Sequence, residues 1–383
     1  MKQFLIKHKG NGSKRLTIAI ILFIVLYYLF GNQASGQTIE GILRGKFETT
    51  TLTPDNSTAS AESGSRKEQL VAEVTRFEVR NARISFSNSK NLDILLNNLI
   101  LEYKAEIDLC DEGSIKMLDA YSRLKYNAFS FTIGQFRVPF SIDAHRNPYK
   151  QLFANRSFIA KYVGNIRDVG AQLSYEPSHK VFSLTAGLFN GSGLTNQKNF
   201  WTSSINYSSK LTLNFLPWAN LCLSAQKIKP QYVNMYLYDA GLTLNPKNFF
   251  FEIEYLYEHY QDNCFKAVNA FNIMTGYKVN LHNRIFKNFQ PLLRYDYASD
   301  HWDGVFDTLV GYRSELSTQN SEIVSPKVQQ CCRSRITIGT TFALNTKTEA
   351  FIRLNYEKYF YNKEARIKIS ENDKFVIEFV TKF

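Results

Sequence analysis

The feature that most constrains the fold is a two-residue alternation of apolar and polar side chains. It is clearest at the C-terminus, where Phe375, Ile377, Phe379 and Phe383 occupy alternate positions and Thr381 alone interrupts the row. Successive residues of a β-strand point to opposite faces. The last ten residues therefore predict a strand with one apolar face and one mixed face.

Segments with this alternation recur at a regular spacing along the chain and predict sixteen strands. They are Thr38–Glu48, Thr75–Ser87, Leu101–Leu109, Lys116–Tyr126, Phe129–Gln135, Asp168–Tyr175, Val181–Phe189, Ile205–Phe215, Leu221–Gln226, Tyr236–Leu244, Phe249–His259, Asn269–Val279, Phe289–Ala298, Arg335–Phe342, Glu349–Tyr359 and Lys374–Phe383. Roughly 22 residues for each strand and its connection is a density typical of a transmembrane β-barrel.

The connections alternate between short and long. Short ones are rich in turn-forming residues, namely Asn127-Ala128, Glu176–Lys180, Pro217–Asn220, Asn245–Asn248 and Asn345–Thr348. Long polar ones are Thr49–Val74, Arg137–Arg167, Asn190–Ser204 and Ser299–Ser334. Membrane barrels have short periplasmic turns and longer outside loops. The pattern favours an all-β, transmembrane antiparallel β-barrel of about 16 strands over a soluble β-sandwich.

The two faces of the strands can be assigned by asking which row tolerates lipid. The predicted outward rows are Leu118, Ala120, Leu124 and Tyr126 on the fourth strand, Phe251, Ile253, Tyr255 and Tyr257 on the eleventh, and Ile352, Leu354 and Tyr356 on the fifteenth. The opposite rows carry Asp119, Tyr121, Arg123 and Lys125, then Glu252, Glu254 and Glu258, then Arg353, Asn355 and Glu357. A packed apolar core does not accept such rows, so they predict a water-filled lumen.

Residues 1–36 predict a cleaved signal peptide. Five basic residues between Lys2 and Arg15 precede an uncharged run from Leu16 to Phe30, and the small residues Ala34-Ser35-Gly36 follow. The run is shorter than the ~20 residues that a membrane-spanning helix needs, and this order is typical of an export signal. A single membrane anchor is the alternative. Cleavage leaves residues 37–383 as one barrel domain.

The net charge and the cysteine spacing bear on which partners and metal sites the chain can have. Residues 1–36 carry five of the 46 basic and none of the 34 acidic residues, so the remainder has 41 basic and 34 acidic residues, a formal charge of +7. That diffuse charge does not indicate nucleic acid. The spacing of Cys110, Cys222, Cys264, Cys331 and Cys332 fits no metal site, and any disulfide pairing stays open.

Several motifs in the middle of the chain together resemble a known family. They are Val79–Arg83, Asp119–Tyr121, Gly134–Ser141, Arg167–Gly170 and Gly187–Gly193. Their order and spacing resemble the phosphate-selective porin O and P family between Arg76 and Pro217, and more weakly to the C-terminus. The resemblance implies an outer-membrane barrel of a Gram-negative bacterium, usually a homotrimer, through which small anions diffuse. The terminal Phe383 strand resembles the signal read by the barrel-insertion machinery.

The third loop, about 137–167, concentrates positive charge against a single acid, Asp143. If it folds inward, as the resemblance implies, it lines the constriction with donors that suit anions and phosphate. The predicted anion-binding residues of the pore constriction are Arg123, Lys125, Arg137, Arg146, Lys150, Arg156, Lys161 and Arg167. The alternative is that several of them pair with wall carboxylates such as Asp119 or Glu106 and pin the loop.

The predicted inner wall departs from a continuous ladder of arginines. Its cations are Lys104, Arg123, Lys125, Lys210, Lys278, Arg294, Arg335 and Arg353. Its acids are Glu106, Asp108, Asp119, Asp239, Glu252, Glu254, Glu258, Asp296 and Glu357. Because the two sets nearly balance, the wall itself does not predict phosphate selectivity. The resemblance is therefore taken to imply the barrel and the pore, and phosphate selectivity is a hypothesis.

The sequence therefore predicts a porin, surrounded by outer-membrane lipid, for passive diffusion of small solutes with a preference for anions such as phosphate. No cofactor, metal or catalytic residue is predicted. His145 and His301 lie near aspartates in loops assigned to the outside, but no nucleophile motif accompanies them. A second alternative is a structural or adhesive barrel whose long loops Thr49–Val74 and Ser299–Ser334 bind surfaces.

Overall fold

The protein is described by a computed structural model, which covers residues 37–52, 72–92, 97–111, 114–162, 166–191, 193–194, 201–202, 204–229, 233–263, 266–281, 283–300, 332–362 and 371–383. Its strands are β1 (Thr38–Leu52), β2 (Ala72–Asn91), β3 (Leu99–Asp111), β4 (Ser114–Tyr126), β5 (Phe129–Arg137), β6 (Arg167–Tyr175), β7 (Phe182–Phe189), β8 (Asn206–Leu216), β9 (Ala219–Ile228), β10 (Met235–Leu244), β11 (Phe249–Tyr260), β12 (Val268–Tyr277), β13 (Val279–Asn280), β14 (Phe286–Ala298), β15 (Arg333–Leu344), β16 (Glu349–Tyr361) and β17 (Lys374–Lys382). A helix, α1 (Ile159–Tyr162), and two 3-10 turns, Pro148–Lys150 and Gln261–Asn263, complete the described elements.

The strands form one closed antiparallel barrel. β12 and β13 both pair with β14 and are two parts of one strand interrupted at Lys278, so the barrel has sixteen strands. β1 pairs with both β2 and β17, and this closes the sheet. Backbone hydrogen bonds of 2.7 and 3.0 Å join Gly41 to Phe383 at the seam. The prediction of a sixteen-stranded antiparallel barrel is confirmed. Twelve predicted segments fall within one strand, three extend one residue beyond it at Val181, Ile205 and Phe383, and Asn269–Val279 spans β12 and the start of β13.

The last strand shows how the two faces differ. Phe375, Ile377 and Phe379 are 37%, 38% and 47% exposed, whereas Glu378 and Val380 between and beside them are fully buried. In a closed barrel the exposed apolar row faces lipid and the other row faces the interior. The alternation read from the sequence is therefore the inside–outside alternation of the wall.

The predicted faces hold for β11 and β16, but one position on β4 is wrong. Leu118 was expected to face lipid, yet it is 4% exposed, while Met117 and Ile115 are 47% and 69% exposed. The register between β3 and β4 shifts after Glu106, so that Leu118 has no partner across the ladder. A bulge of this kind adds one residue to the strand, so the alternation between lipid and lumen is shifted by one position on one side of it.

Connection length follows the two ends of the barrel. Both chain ends of the barrel lie at the end that carries the short turns, including Asn127-Ala128 and Pro217-Trp218. The opposite end carries the long connections, but three of its connections are short: residues 112–113 between β3 and β4, 229–234 between β9 and β10, and 261–267 between β11 and β12. No helix among the described residues is long and apolar enough to cross a membrane.

The barrel interior holds a packed cluster to which the connection between β5 and β6 contributes. Phe140, Ala144 and Phe158 from that connection are at most 1% exposed and pack with Leu237 and Leu256 of β10 and β11. Of the cysteines, Cys110, Cys222 and Cys332 are free thiols, and Cys264 and Cys331 lie outside the described residues.

Candidate functional site

The third loop, residues 138–166 between β5 and β6, turns inward directly after β5. Pro139 has no N–H to donate to a strand ladder, and Ser141 adopts a left-handed backbone with φ 61°. The carboxylate of Glu254 on β11 accepts hydrogen bonds from the Ser141 hydroxyl at 2.6 Å and the Ile142 N–H at 2.5 Å. These contacts fix the first corner of the loop against the inner wall.

The middle of the loop lies on four arginines of the inner wall, each at most 2% exposed. All four donate hydrogen bonds to loop carbonyl oxygens: Arg44 to Ala154 at 2.9 Å, Arg294 to Asn155 at 2.9 Å, Arg335 to Arg156 at 2.7 Å and Arg353 to Tyr149 at 2.8 Å. Guanidinium donors form stronger hydrogen bonds than neutral donors. The loop backbone is thus held along a row of charged donors.

Buried carboxylates balance these arginines. Glu378 forms salt bridges with Arg44 at 2.6 Å and Arg353 at 2.7 Å, and it is fully buried. Asp296 pairs with Arg335 at 2.7 Å and is also fully buried. Charges away from water need partners of this kind. The arginine row is covered by the loop and is closed to solutes in the lumen.

Two aromatic side chains of the loop insert between the arginines. The ring of Phe158 has guanidinium carbons of Arg333 and Arg335 at 4.7 and 4.8 Å from its centroid. The ring of Phe153 has that of Arg294 at 4.5 Å. Cation–π contacts are strongest where water is excluded. They join the apolar part of the loop to the charged wall.

The other half of the wall, from β3 to β8, borders open space beside the loop. A cavity of about 490 Å³ lies there, and its lining includes Arg123, Arg137, His145, Gln172 and Lys210. A second cavity of about 290 Å³ adjoins the short turns and shares four lining residues with the first, Arg123, Ser130, Ser174 and Glu176. The two cavities follow the same wall toward the short-turn end.

Two cations of the larger cavity have no acidic partner. Arg137 lies 3.3 Å from the carbonyl oxygens of residues 144, 145 and 146, and Lys210 donates to the carbonyl of Ser141 at 2.6 Å. Among the described residues, neither forms a salt bridge. By contrast, Glu106 and Asp119 in the same lining both pair with Lys104, at 2.7 and 3.0 Å. With four cations against the carboxylates Glu106, Asp119 and Glu176, the lining carries more positive than negative charge.

His145 lies in the lumen, where it is exposed to the larger cavity, and not in an outside loop as the sequence analysis assigned it. The pKa of His145 is lowered well below its ordinary value, because the surrounding barrel desolvates the imidazolium and Lys210, Arg137 and Arg167 repel it. At neutral pH the ring is therefore an uncharged hydrogen-bonding group.

The eight residues predicted for the constriction fall into different environments. Arg123 and Arg137 line the larger cavity, although Arg123 also pairs with Glu102 at 3.3 Å, and Lys125 is exposed in the smaller cavity. Lys150 is exposed and lies 5.8 Å from the ring of its neighbour Tyr149. Lys161 belongs to α1, and its side chain is outside the described part of the chain.

The other three are engaged in holding the loop. Arg146 pairs with Glu252 at 2.5 Å. Arg167 pairs with Asp119 at 2.7 Å and with Glu106 at 3.5 Å, the two wall carboxylates that the alternative interpretation named. Arg156 donates to loop carbonyl oxygens, including that of Asp143 at 2.7 Å. The structure thus brings two of the eight to the larger cavity, and these three stabilise its border.

Sequence reasoning missed Lys210 and His145 as cavity residues. Lys210 was placed on the inner row of β8, but nothing in that strand shows that the loop passes beside it. The available signal was its position near the middle of an inner row, at the depth where an inward loop must cross.

This geometry defines a class of protein: a transmembrane barrel whose inward third loop narrows a polar lumen. Residues 61–211 match the family described as phosphate-selective porin O and P, so the predicted resemblance is confirmed. The family match and the barrel support an outer-membrane location in a Gram-negative bacterium. No curated protein has a sequence that matches this chain.

Solved porin structures resemble the whole barrel. OmpT of Vibrio cholerae in its trimer form is 11% identical with a TM-score of 0.57, and the match covers 92% of this chain and 100% of that one. An anion-selective porin from Comamonas acidovorans is 12% identical with a TM-score of 0.57, and the match covers 90% of this chain and 98% of that one. The outer membrane channel DcaP of Acinetobacter baumannii is 10% identical with a TM-score of 0.56, and the match covers 91% of this chain and 97% of that one. At such identities the likeness concerns the fold.

Proposed function

We propose that this outer-membrane channel admits small solutes by passive diffusion and prefers anions, phosphate among them. The family match and the fold favour a channel over an enzyme. The observation that carries the anion preference is the pair Arg137 and Lys210, two cations of the larger cavity without a salt bridge among the described residues. Uncompensated cations along a pore favour anions.

The proposed passage runs between the third loop and the wall from β3 to β8. The loop covers the arginine row on the other wall, so solutes meet Arg137 and Lys210 before they reach Arg123 and Lys125 near the short turns. This order predicts that Arg137 and Lys210 control selectivity more than Arg146 or Arg167, whose charges are paired.

The test is the reversal potential of the purified channel in a planar bilayer under a potassium chloride gradient. We expect a chloride preference that falls in Arg137→Gln and Lys210→Gln and changes little in Lys247→Gln, a matched loss of charge in an exposed turn. A wild-type reversal potential that favours potassium would overturn the anion preference and leave the channel itself intact.

We also propose four features of maturation and assembly. Residues 1–36 are a signal peptide, which mass spectrometry of the exported protein tests. Phe383 is read by the barrel-insertion machinery, and lipid surrounds the exposed apolar rows. The mature barrel is a homotrimer, in keeping with the trimer form of the OmpT neighbour. Native mass spectrometry in detergent distinguishes a trimer from a monomer.

The adhesive alternative depends on residues 49–74 and 299–334, most of which lie outside the described residues. Liposome swelling separates it from a channel. A barrel that passes neither sugars nor phosphate supports the adhesive function, and solute flux supports the channel.

A further inference from the structure

A polar row lies at the edge of the lipid-facing surface of β8 to β11, at the end of the barrel that carries the long connections. Tyr207, Lys227, Tyr236 and His259 are cross-strand neighbours in that order, and each is the second residue from the end of its strand. With neighbouring strands about 4.8 Å apart, the four residues extend over roughly 14 Å of the barrel surface. We call these four residues the rim row.

The rim row faces the membrane and not the lumen. The residues that flank Lys227 and Tyr236 along their strands are at most 3% exposed and belong to the inward rows: Gln226, Ile228, Met235 and Leu237. Toward the membrane centre, the outward rows continue with apolar residues such as Leu223 and Leu242. Because membrane barrels keep their longer connections outside, the rim row lies at the level of the outer-leaflet headgroups.

Lys227 carries the one formal charge in the outward rows of β8 to β11, all within the described part of the chain. Its ammonium donates to the Ser204 hydroxyl at 2.9 Å and to the Ile205 carbonyl at 3.4 Å, which leaves one N–H. It forms no salt bridge with any described carboxylate, whereas Lys358 on the outward row of β16 is paired with Asp373. Two neutral acceptors thus hold an uncompensated ammonium at headgroup level.

His259 adds a donor whose ring is fixed by tyrosines. The imidazole stacks on Tyr236 with centroids 4.9 Å apart and 19° between the planes, and the rings of Tyr238 and Tyr257 lie 6.0 and 5.9 Å away. A neutral imidazole has one N–H donor and each phenol has one O–H donor. Lys227 and His259 therefore flank Tyr236 with donors, about 10 Å apart across two strand spacings.

From these features we infer that the rim row binds the phosphate headgroup of an outer-leaflet lipid. The Lys227 ammonium pairs with the phosphate, Tyr236 and His259 donate to its oxygens, and the acyl chains lie on the apolar outward rows. A phosphate ester combines negative charge with several strong acceptor oxygens. The location on the lipid-facing surface selects a lipid over a solute. This inference is independent of the anion preference proposed for the lumen.

The test is native mass spectrometry of the purified protein in a non-ionic detergent with three probes. Dioleoyl phosphatidic acid has both a phosphate and acyl chains, dioleoylglycerol has the same chains without phosphate, and inorganic phosphate has no chains. We expect phosphatidic acid to bind about tenfold more tightly than either of the others, because one charge-assisted contact has about that effect on a dissociation constant.

Variants assign the contact. Lys227→Gln should weaken phosphatidic acid binding about tenfold, and Lys227→Arg, which keeps the charge, should retain it. Lys358→Gln is the matched control, because that lysine also lies on a lipid-facing row but is already paired, and it should change binding little. His259→Leu should weaken binding by a smaller factor, about threefold, since it removes a neutral donor.

Four results would overturn the lipid site. They are equal binding of phosphatidic acid and dioleoylglycerol, binding of inorganic phosphate as tight as that of phosphatidic acid, equal losses in Lys227→Gln and Lys358→Gln, and a wild-type trimer that dissociates in Lys227→Gln. The last result would place the rim row in a subunit interface. None of them bears on the channel, because the reversal potential of Lys227→Gln should equal that of wild type whether or not the lipid binds.

Discussion

Replacing Arg335 with methionine tests whether the buried charge network holds the third loop. Arg335 is 1% exposed and donates to Asp296 at 2.7 Å, to the Tyr359 hydroxyl at 3.1 Å and to the loop carbonyl of Arg156 at 2.7 Å. Methionine has a similar length but no charge or donor. The change therefore removes the contacts and largely conserves volume.

The expected loss follows from the acids left behind. Removing one partner of a buried ion pair costs about 3–5 kcal/mol. Asp296 retains Arg294 at 2.8 Å, and Glu357 retains Lys374 at 3.8 Å, so the lower end applies. We expect about 3 kcal/mol, close to a hundredfold in the equilibrium constant.

Arg76→Met is the matched control. Arg76 also pairs with carboxylates, Glu48 at 2.6 Å and Glu78 at 3.1 Å, but its side chain is 52% exposed. Exposed ion pairs contribute about 0–1 kcal/mol. The same substitution should therefore have less effect there.

Guanidinium chloride unfolding of the refolded barrel, followed by tryptophan fluorescence, measures both variants. Single-channel recording provides a second readout, because a loop released from the arginine row should widen the lumen and raise the conductance. Equal stability losses in the two variants, with unchanged conductance, would refute the argument that the buried network holds the loop.

Three further predictions concern single positions. The anion preference should change little around neutral pH and rise in acid, where His145 with its lowered pKa gains a proton. His145→Gln should reduce that rise in reversal-potential measurements. Gly134→Ala should prevent folding, because the φ of Gly134 is 129° and the added Cβ would lie 2.3 Å from the Ala120 carbonyl oxygen. Gly45→Ala, whose added Cβ has no atom within 4 Å, should fold normally. A heat-modifiability gel distinguishes folded from unfolded barrel in both variants. Phe383→Ser should lower the amount of barrel in the outer membrane while refolding in detergent continues, and equal membrane levels would exclude a role in insertion.

The strands were predictable because lipid imposes a local rule. Every residue of a wall strand faces either hydrocarbon or the lumen, so the period of two is present in each segment separately. This is why all sixteen segments were located, and why the buried Glu252, Glu254 and Glu258 were assigned inward. The prediction for Leu118 was wrong because a bulge inserts one residue into the strand, and the local sequence does not mark it.

The site was less predictable because it joins residues distant in sequence. Arg44 comes from β1, while Arg294, Arg335 and Arg353 come from β14, β15 and β16, and they form a row only after the barrel closes. For this reason no arginine ladder was predicted. The wall on which the loop lies is set by contacts between distant residues such as Ser141 and Glu254, so the position of His145 beside Lys210 was not predictable.

Closure of the barrel by its first and last strands has a consequence for biogenesis. Until residues 374–382 are available to pair with β1, every partly assembled sheet has two unpaired edges, and such edges recruit other strands. Every partly assembled form of the barrel therefore exposes unpaired strand edges in the periplasm. Premature stop codons near the 3′ end of the reading frame should yield aggregated or degraded polypeptide, not a shortened pore.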